Sequence, residues 1–230
     1  MIKAIIFDLD GVLIDSKDIH FNALNEALIL INPKFKISID DHLNIFDGLS
    51  TQDKINYLIE KRNFPKLKKK KVYEHKQELT NKLLIQQISI DTNLIKALNR
   101  LSKKYSLALA TNCIRKTMKA ILKKNKIEKI FNFTICNEDV INPKPHSEMY
   151  LRLILKLGLD PEEVLILEDS NVGRKAAFKS GAHVLPVETI RIDVNYKNII
   201  SKINLIDNNM QKTKWKSDKL NILIPMSGKG

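Results

Sequence analysis

Two carboxylates two residues apart, Asp8 and Asp10, close the first apolar run of the chain in the stretch Asp8-Leu9-Asp10-Gly11. Residues two apart on an extended strand point to the same face, so this pair would sit together at the strand's end. Held away from water, such a pair is costly unless a cation neutralises it. Taken alone, Asp-x-Asp reads equally well as a helix N-cap entering a turn. Three other segments add complementary chemistry. Thr111-Asn112 offers a hydroxyl and an amide suited to phosphate oxygens. Asn142-Pro143-Lys144-Pro145 sets a cation between two prolines that stiffen its backbone, although a Pro-rich turn has the same composition. Glu168-Asp169-Ser170-Asn171 supplies a second acidic pair, or a cap for the helix after it.

The elements that must position these groups follow a β-then-α rhythm. Ile2 to Leu9 reads as a buried strand of a parallel sheet, and Ile19, Ala23, Leu24, Ala27, Leu28 and Ile31 recur at helical spacing until Asn32-Pro33. Helical segments are expected at Asp40 to Phe46, Thr51 to Lys61 and Lys66 to Gln87, with no convincing strand among them, so this block reads as a helical insert. From Asp91 the order is helix (Asn93 to Lys103), strand (Ser106 to Thr111), helix (Arg115 to Asn125), strand (Phe133 to Cys136) and helix (Ser147 to Leu157). A strand (Val164 to Leu167), a helix (Val172 to Ser180) and a strand (His183 to Val187) complete it. Alternation of this kind implies right-handed crossovers and a parallel sheet, with ligands beyond the carboxyl ends of its strands. All four chemical segments fall at that edge.

In order, spacing and strand-end placement, Asp8 and Asp10, Thr111 and Asn112, Lys144, and Glu168 with Asp169 resemble the signature of the haloacid dehalogenase (HAD) superfamily over residues 1 to about 190. Phe7 to Ser16, Asn142 to Tyr150 and Leu165 to Gly173 are most similar to its β-phosphoglucomutase-like phosphatases. The resemblance implies an α/β fold: a Rossmann-like parallel sheet core (1–14 and 90–206) with an inserted helical cap domain (15–89). It implies a phosphoric monoester hydrolase in which Asp8 attacks phosphorus and Asp10 serves as acid and then base. Mg2+ would be held by Asp8, the Asp10 carbonyl and Asp169, with Glu168 acting through water. Lys144 would stabilise the transferring group while Thr111 and Asn112 hold its oxygens. In the cap, the resemblance places Asp15, Ser16 and His20 at the hinge and leaving-group side, Gly48 and Thr51 in a substrate loop, and Lys76 as a cation facing the substrate. His20 on a helix surface and Lys76 as a solvated lysine are the plain alternatives. Mutases of the family carry an Arg where this chain has Thr51, which cannot grip a second phosphate in bidentate fashion, so hydrolysis is favoured over mutase activity. A regulatory domain with a vestigial site is the non-enzymatic alternative.

The 230 residues, 43% of them hydrophobic, can bury one α/β core with a modest insert. The net charge of +13 would suit nucleic acid, but lysines are spread along the chain with many Asn and Ile, as an A+T-rich coding bias produces. The dense run Lys66 to Lys71 lacks the Arg or aromatics that base recognition favours and reads as a solvated helix face. The expected partner is a small phosphorylated substrate, with neither nucleic acid nor membrane. No apolar run approaches the ~20 residues of a spanning helix, and no secretory signal opens the chain, so a cytoplasmic location is expected. Cys113 and Cys136 read as reduced core residues. Residues 207–220 read as a linker. Asn221 to Gly230 resembles the opening strand and glycine loop of sugar-phosphate nucleotidyltransferases, which implies fusion to such a domain and a sugar or polyol phosphate substrate; an accidental apolar tail is the plain alternative.

Overall fold

A computed structural model of the chain describes residues 1–46 and 49–213. It opens with β1 (Ala4–Phe7), followed by the helices α1 (Lys17–Ile29), α2 (Ile39–Asp41), α3 (Thr51–Arg62) and α4 (Lys69–Gln87); α2 runs on into a π-helical turn at His42–Phe46. The remainder alternates: α5 (Thr92–Leu101), β2 (Ser106–Ala110), α6 (Arg115–Lys124), β3 (Phe133–Ile135), α7 (Glu148–Leu157), β4 (Val164–Glu168), α8 (Asn171–Lys179) and β5 (His183–Pro186). Short α9 (Ile190–Asp193) and long α10 (Tyr196–Thr213) close the described chain.

The five strands pair in parallel in the order β3-β2-β1-β4-β5. The chain therefore builds outward from β1 on one side, crosses back, and builds outward again from β4. That reversal beside β1 opens a crevice at the carboxyl edge, where the acidic segments lie. Strand periodicity sorts the core into two layers. Ile5, Phe7, Leu107, Leu109, Leu165 and Leu167 face one layer, with side chains from α5, α6 and α10. Ala4, Ile6, Ala108, Ala110 and Ile166 face the other, against Met149, Tyr150, Leu153 and Ile154 of α7 and Ala176 and Ala177 of α8. Both faces of β1 are buried, which is why its sequence is continuously apolar.

The helical block between β1 and β2 packs around a core of its own, including Leu24, Leu28, Phe35, Ile37, Phe46, Ile55, Leu58, Phe64 and Val72. Each such buried side chain contributes about 1.5–3 kcal/mol by leaving water. Helix α3 starts where Ser50 Oγ accepts the Asp53 N–H at 3.1 Å, and it stops at Asn63, whose φ of 52° is left-handed. Lys66, Lys68, Lys70 and Lys71 are exposed, as expected of that run.

One boundary is corrected. Residues 207–213, expected as linker, continue α10, because Ile199, Ile203 and Ile206 bury against the sheet and Asp207 Oδ1 accepts the Ile2 N–H at 2.8 Å. The segments at 214–220 and 221–230 lie outside the described residues.

Candidate active site

The crevice beside β1 gathers its charged groups from two strand ends and one loop. Asp8 follows β1, Glu168 ends β4 and Asp169 follows it, and carboxylate oxygens of the three lie within 4.8 Å of one another. The Lys144 ammonium donates to Asp8 Oδ1 at 2.7 Å, to Glu168 Oε1 at 2.5 Å and to the Ala110 carbonyl at 3.0 Å. The Tyr150 hydroxyl donates to the same Glu168 oxygen at 2.6 Å, and its ring lies 4.9 Å from the ammonium. Burial alone would push the Lys144 pKa down, but Asp8 and Glu168 outweigh it and the pKa is raised.

Asp8 sits well above the usual carboxylate range. Burial is the main cause; Lys144 opposes it, and the charges of Glu168 and Asp10 add to it. One buried ammonium thus stands against several carboxylates, and the exposed Lys17, 3.7 Å from Asp169 Oδ2, offsets little. Two glycines keep the acidic oxygens close. A Cβ at Gly11, whose φ is +79°, would run into the Asp169 carboxylate, and one at Gly173 into that of Glu168. A crowded, under-neutralised set of hard oxygen donors fits a divalent cation such as magnesium. Glu168 Oε1, already engaged by Lys144 and Tyr150, suits an indirect role in holding it.

Lys144 owes its position to side chains that spacing assigned elsewhere or not at all. Asn112 lines the cavity, and its amide also brackets the Lys144 main chain: Nδ2 donates to the carbonyl at 3.3 Å, and Oδ1 accepts the N–H at 3.2 Å. The Lys144–Pro145 peptide is cis. Upstream, Glu148 accepts the N–H groups of Asn142 at 2.8 Å and Ile141 at 3.1 Å, and these bonds hold its carboxyl down at about 2. The buried Thr111 hydroxyl accepts the Cys113 N–H at 3.0 Å, which leaves its own proton to donate into the crevice.

Asp10 faces the helical block. Ser16 Oγ donates a short hydrogen bond to Oδ1, His20 Nε2 lies 3.2 Å from the same oxygen, and Cys113 Sγ donates to Oδ2 at 3.4 Å. Burial would raise the Asp10 pKa, but the hydrogen bond from His20 and its charge when protonated, then the bonds from Ser16 and Cys113, hold it at about 2. His20 Nδ1 lies 3.1 Å from Lys76 Nζ. Burial and the Lys76 charge push the His20 pKa down against Asp10. A neutral His20 satisfies every distance, accepting from Lys76 at Nδ1 and donating to Asp10 from Nε2.

These groups line a cavity of about 360 Å³ between the sheet edge and the helices, together with Thr51, Lys54 and Thr80. His20 and Lys76 belong to it, so neither is a solvated surface group; Lys76 is only 6% exposed. Gly48 lies outside the described residues. Cys113 corrects an expectation: only Cys136 is buried in the core, whereas the half-buried Cys113 reaches Asp10. Its place directly after Thr111-Asn112 was the available signal. Tyr150 had none beyond an apolar helical period.

The profile of the family described as haloacid dehalogenase-like hydrolase matches residues 5–187. A phosphorylated carbohydrates phosphatase of Thermotoga maritima is 30% identical over 188 residues, covering 78% of this chain and 82% of that protein. A pyrophosphatase PpaX of Bacillus pumilus is 27% identical over 169 residues, covering 74% and 75%. Among solved structures, β-phosphoglucomutase from Clostridium difficile superposes with a TM-score of 0.74 at 21% identity, over 92% of this chain and all 100% of that one. That likeness is one of fold.

Proposed function

This chain belongs to the haloacid dehalogenase-like hydrolase family, and on that footing we propose that it is a magnesium-dependent phosphatase hydrolysing a small sugar or polyol phosphate through an aspartyl-phosphate on Asp8. The observation that carries the reading is the convergence of Asp8, Glu168 and Asp169 around one point, with Lys144 bridging Asp8 and Glu168.

Asp8 and Asp169, with the Asp10 carbonyl, would hold the ion, which when bound screens the negative charge between carboxylate and phosphate. In the first step an Asp8 oxygen bonds to phosphorus, the bond to the leaving oxygen breaks, and Asp10 delivers a proton to that oxygen. In the second, Asp10 takes a proton from water as the water oxygen bonds to phosphorus, and the Asp8–phosphorus bond breaks to release phosphate. Lys144 and the Thr111 hydroxyl stabilise the charge on the transferring group. Asp10 is ionised before substrate arrives, and an approaching phosphate dianion favours the protonated form that the first step needs. His20 fixes the carboxyl from one side and is itself fixed by Lys76.

The relative named for phosphorylated carbohydrates supports the substrate class, and the one named for pyrophosphate supports phosphate release more generally. A phosphosugar mutase is the second reading. Lys54, one turn along α3 from Thr51, lines the same cavity and is the cation that a second phosphate would need. A phosphate-release screen across sugar and polyol phosphates, with and without magnesium, tests the proposal. Magnesium-dependent free phosphate supports hydrolysis; isomerised sugar phosphate without free phosphate supports the mutase.

A further inference from the structure

The floor of the cavity is made by the catalytic groups, but one wall is a polar stripe of α4. Tyr73, Lys76, Gln77 and Thr80 recur at three and four residues, so they share one helix face, and all four line the cavity. Each of the first three has a partner: Lys76 holds His20, and Gln77 Nε2 donates to the Tyr73 hydroxyl at 3.2 Å. Thr80 does not. It is 2% exposed, and its Oγ1 is buried without a hydrogen-bond partner. A buried hydroxyl left unmatched is costly, and such groups mark places where a ligand completes the bonding.

A second unmatched atom lies in the same cavity on the core side. Asn137 Oδ1, in the turn after β3, is also buried without a partner. Thr80 can donate or accept, whereas an amide oxygen only accepts. A ligand group that reaches Asn137 Oδ1 must therefore carry a proton to donate. A second phosphate or a carboxylate brings acceptors alone and leaves Asn137 unmatched, while alcohol hydroxyls can satisfy each of the two residues.

We propose that Thr80, seconded by Asn137, is a specificity-determining residue that binds a hydroxyl of the leaving group, so that the substrate is a polyhydroxylated phosphomonoester rather than a bisphosphate or phosphorylated acid. This inference rests on the phosphatase reading and deepens it. A site built to bond a substrate hydroxyl discriminates against the analogue that lacks one.

The test compares erythritol 4-phosphate with n-butyl phosphate, two esters of equal carbon chain that differ in hydroxyls. The unaltered enzyme should prefer the former in kcat/KM, and Thr80→Val should reduce that preference by about tenfold, the effect of one neutral hydrogen bond. Thr80→Ser should keep it. In the absence of ligand, Thr80→Val should melt no lower than the unaltered protein, since it removes an unmatched hydroxyl. A preference unchanged in Thr80→Val, or a lowered melting temperature revealing a structural partner, overturns the inference alone. Hydrolysis of neither ester by the unaltered enzyme overturns the phosphatase reading and this inference with it.

Discussion

Among single residues, the groups proposed to react are distinct from the groups that hold them. Asp8→Asn removes the attacking carboxylate with little change in shape and should lower phosphate release by at least about a thousandfold. Asn112→Ala acts one step away. Without the amide that brackets its main chain, Lys144 loses its fixed approach to Asp8 and Glu168, and kcat should fall by about tenfold or more while the melting temperature changes little. Glu148 gives a pH signature. Its carboxyl lies at about 2 in the fold against an ordinary 4.5, so the folded state favours its ionised form. That stabilisation is present above 4.5 and is lost as pH falls from there toward 2. Melting curves taken between about pH 5 and 3 should accordingly show a shallower acid loss in Glu148→Gln than in the unaltered protein.

At the scale of elements, positions follow from periodicity and from what each strand end must carry. The strand ends bearing Asp8, Thr111 and Glu168 were legible because a buried parallel strand is an apolar run and its end is a change to polar residues. The helices of the insert were legible from apolar spacing and from stop signals such as Asn32-Pro33. Helix α10, Tyr196–Thr213, was not. Its Asn- and Lys-rich surface resembles a linker, and only three-dimensional packing shows that Ile199, Ile203 and Ile206 cover the sheet and Asp207 ties back to Ile2. Ile203→Ala should therefore cost about 2–5 kcal/mol in denaturant unfolding, as its burial in the sheet's core requires. The roles of Asn112, Cys113 and Tyr150 were hidden for a related reason, because each depends on a side chain meeting another element far along the chain. Gly173 shows the same limit. In sequence it is an ordinary helical glycine, yet its missing Cβ makes room for the Glu168 carboxylate, so Gly173→Ala should displace Glu168 from Lys144 and lower activity.

At the scale of the whole molecule, a parallel sheet whose order reverses beside β1 brings four distant segments to one crevice, and the helical block encloses it. Each part has its own apolar core, so the acidic groups at the sheet edge and the side chains of the block that line the cavity rest on separate supports. The central claim is that Asp8 and Asp169, from separate strand ends, share one divalent ion and that Asp8 then attacks phosphorus. The most direct measurement is phosphate release against magnesium concentration for the unaltered enzyme, Asp8→Asn and Asp169→Asn. The account predicts release that requires magnesium, no recovery of Asp8→Asn at any concentration, and partial recovery of Asp169→Asn only at much higher magnesium. Full activity in chelator, or an Asp8→Asn enzyme as fast as the unaltered one, would contradict it.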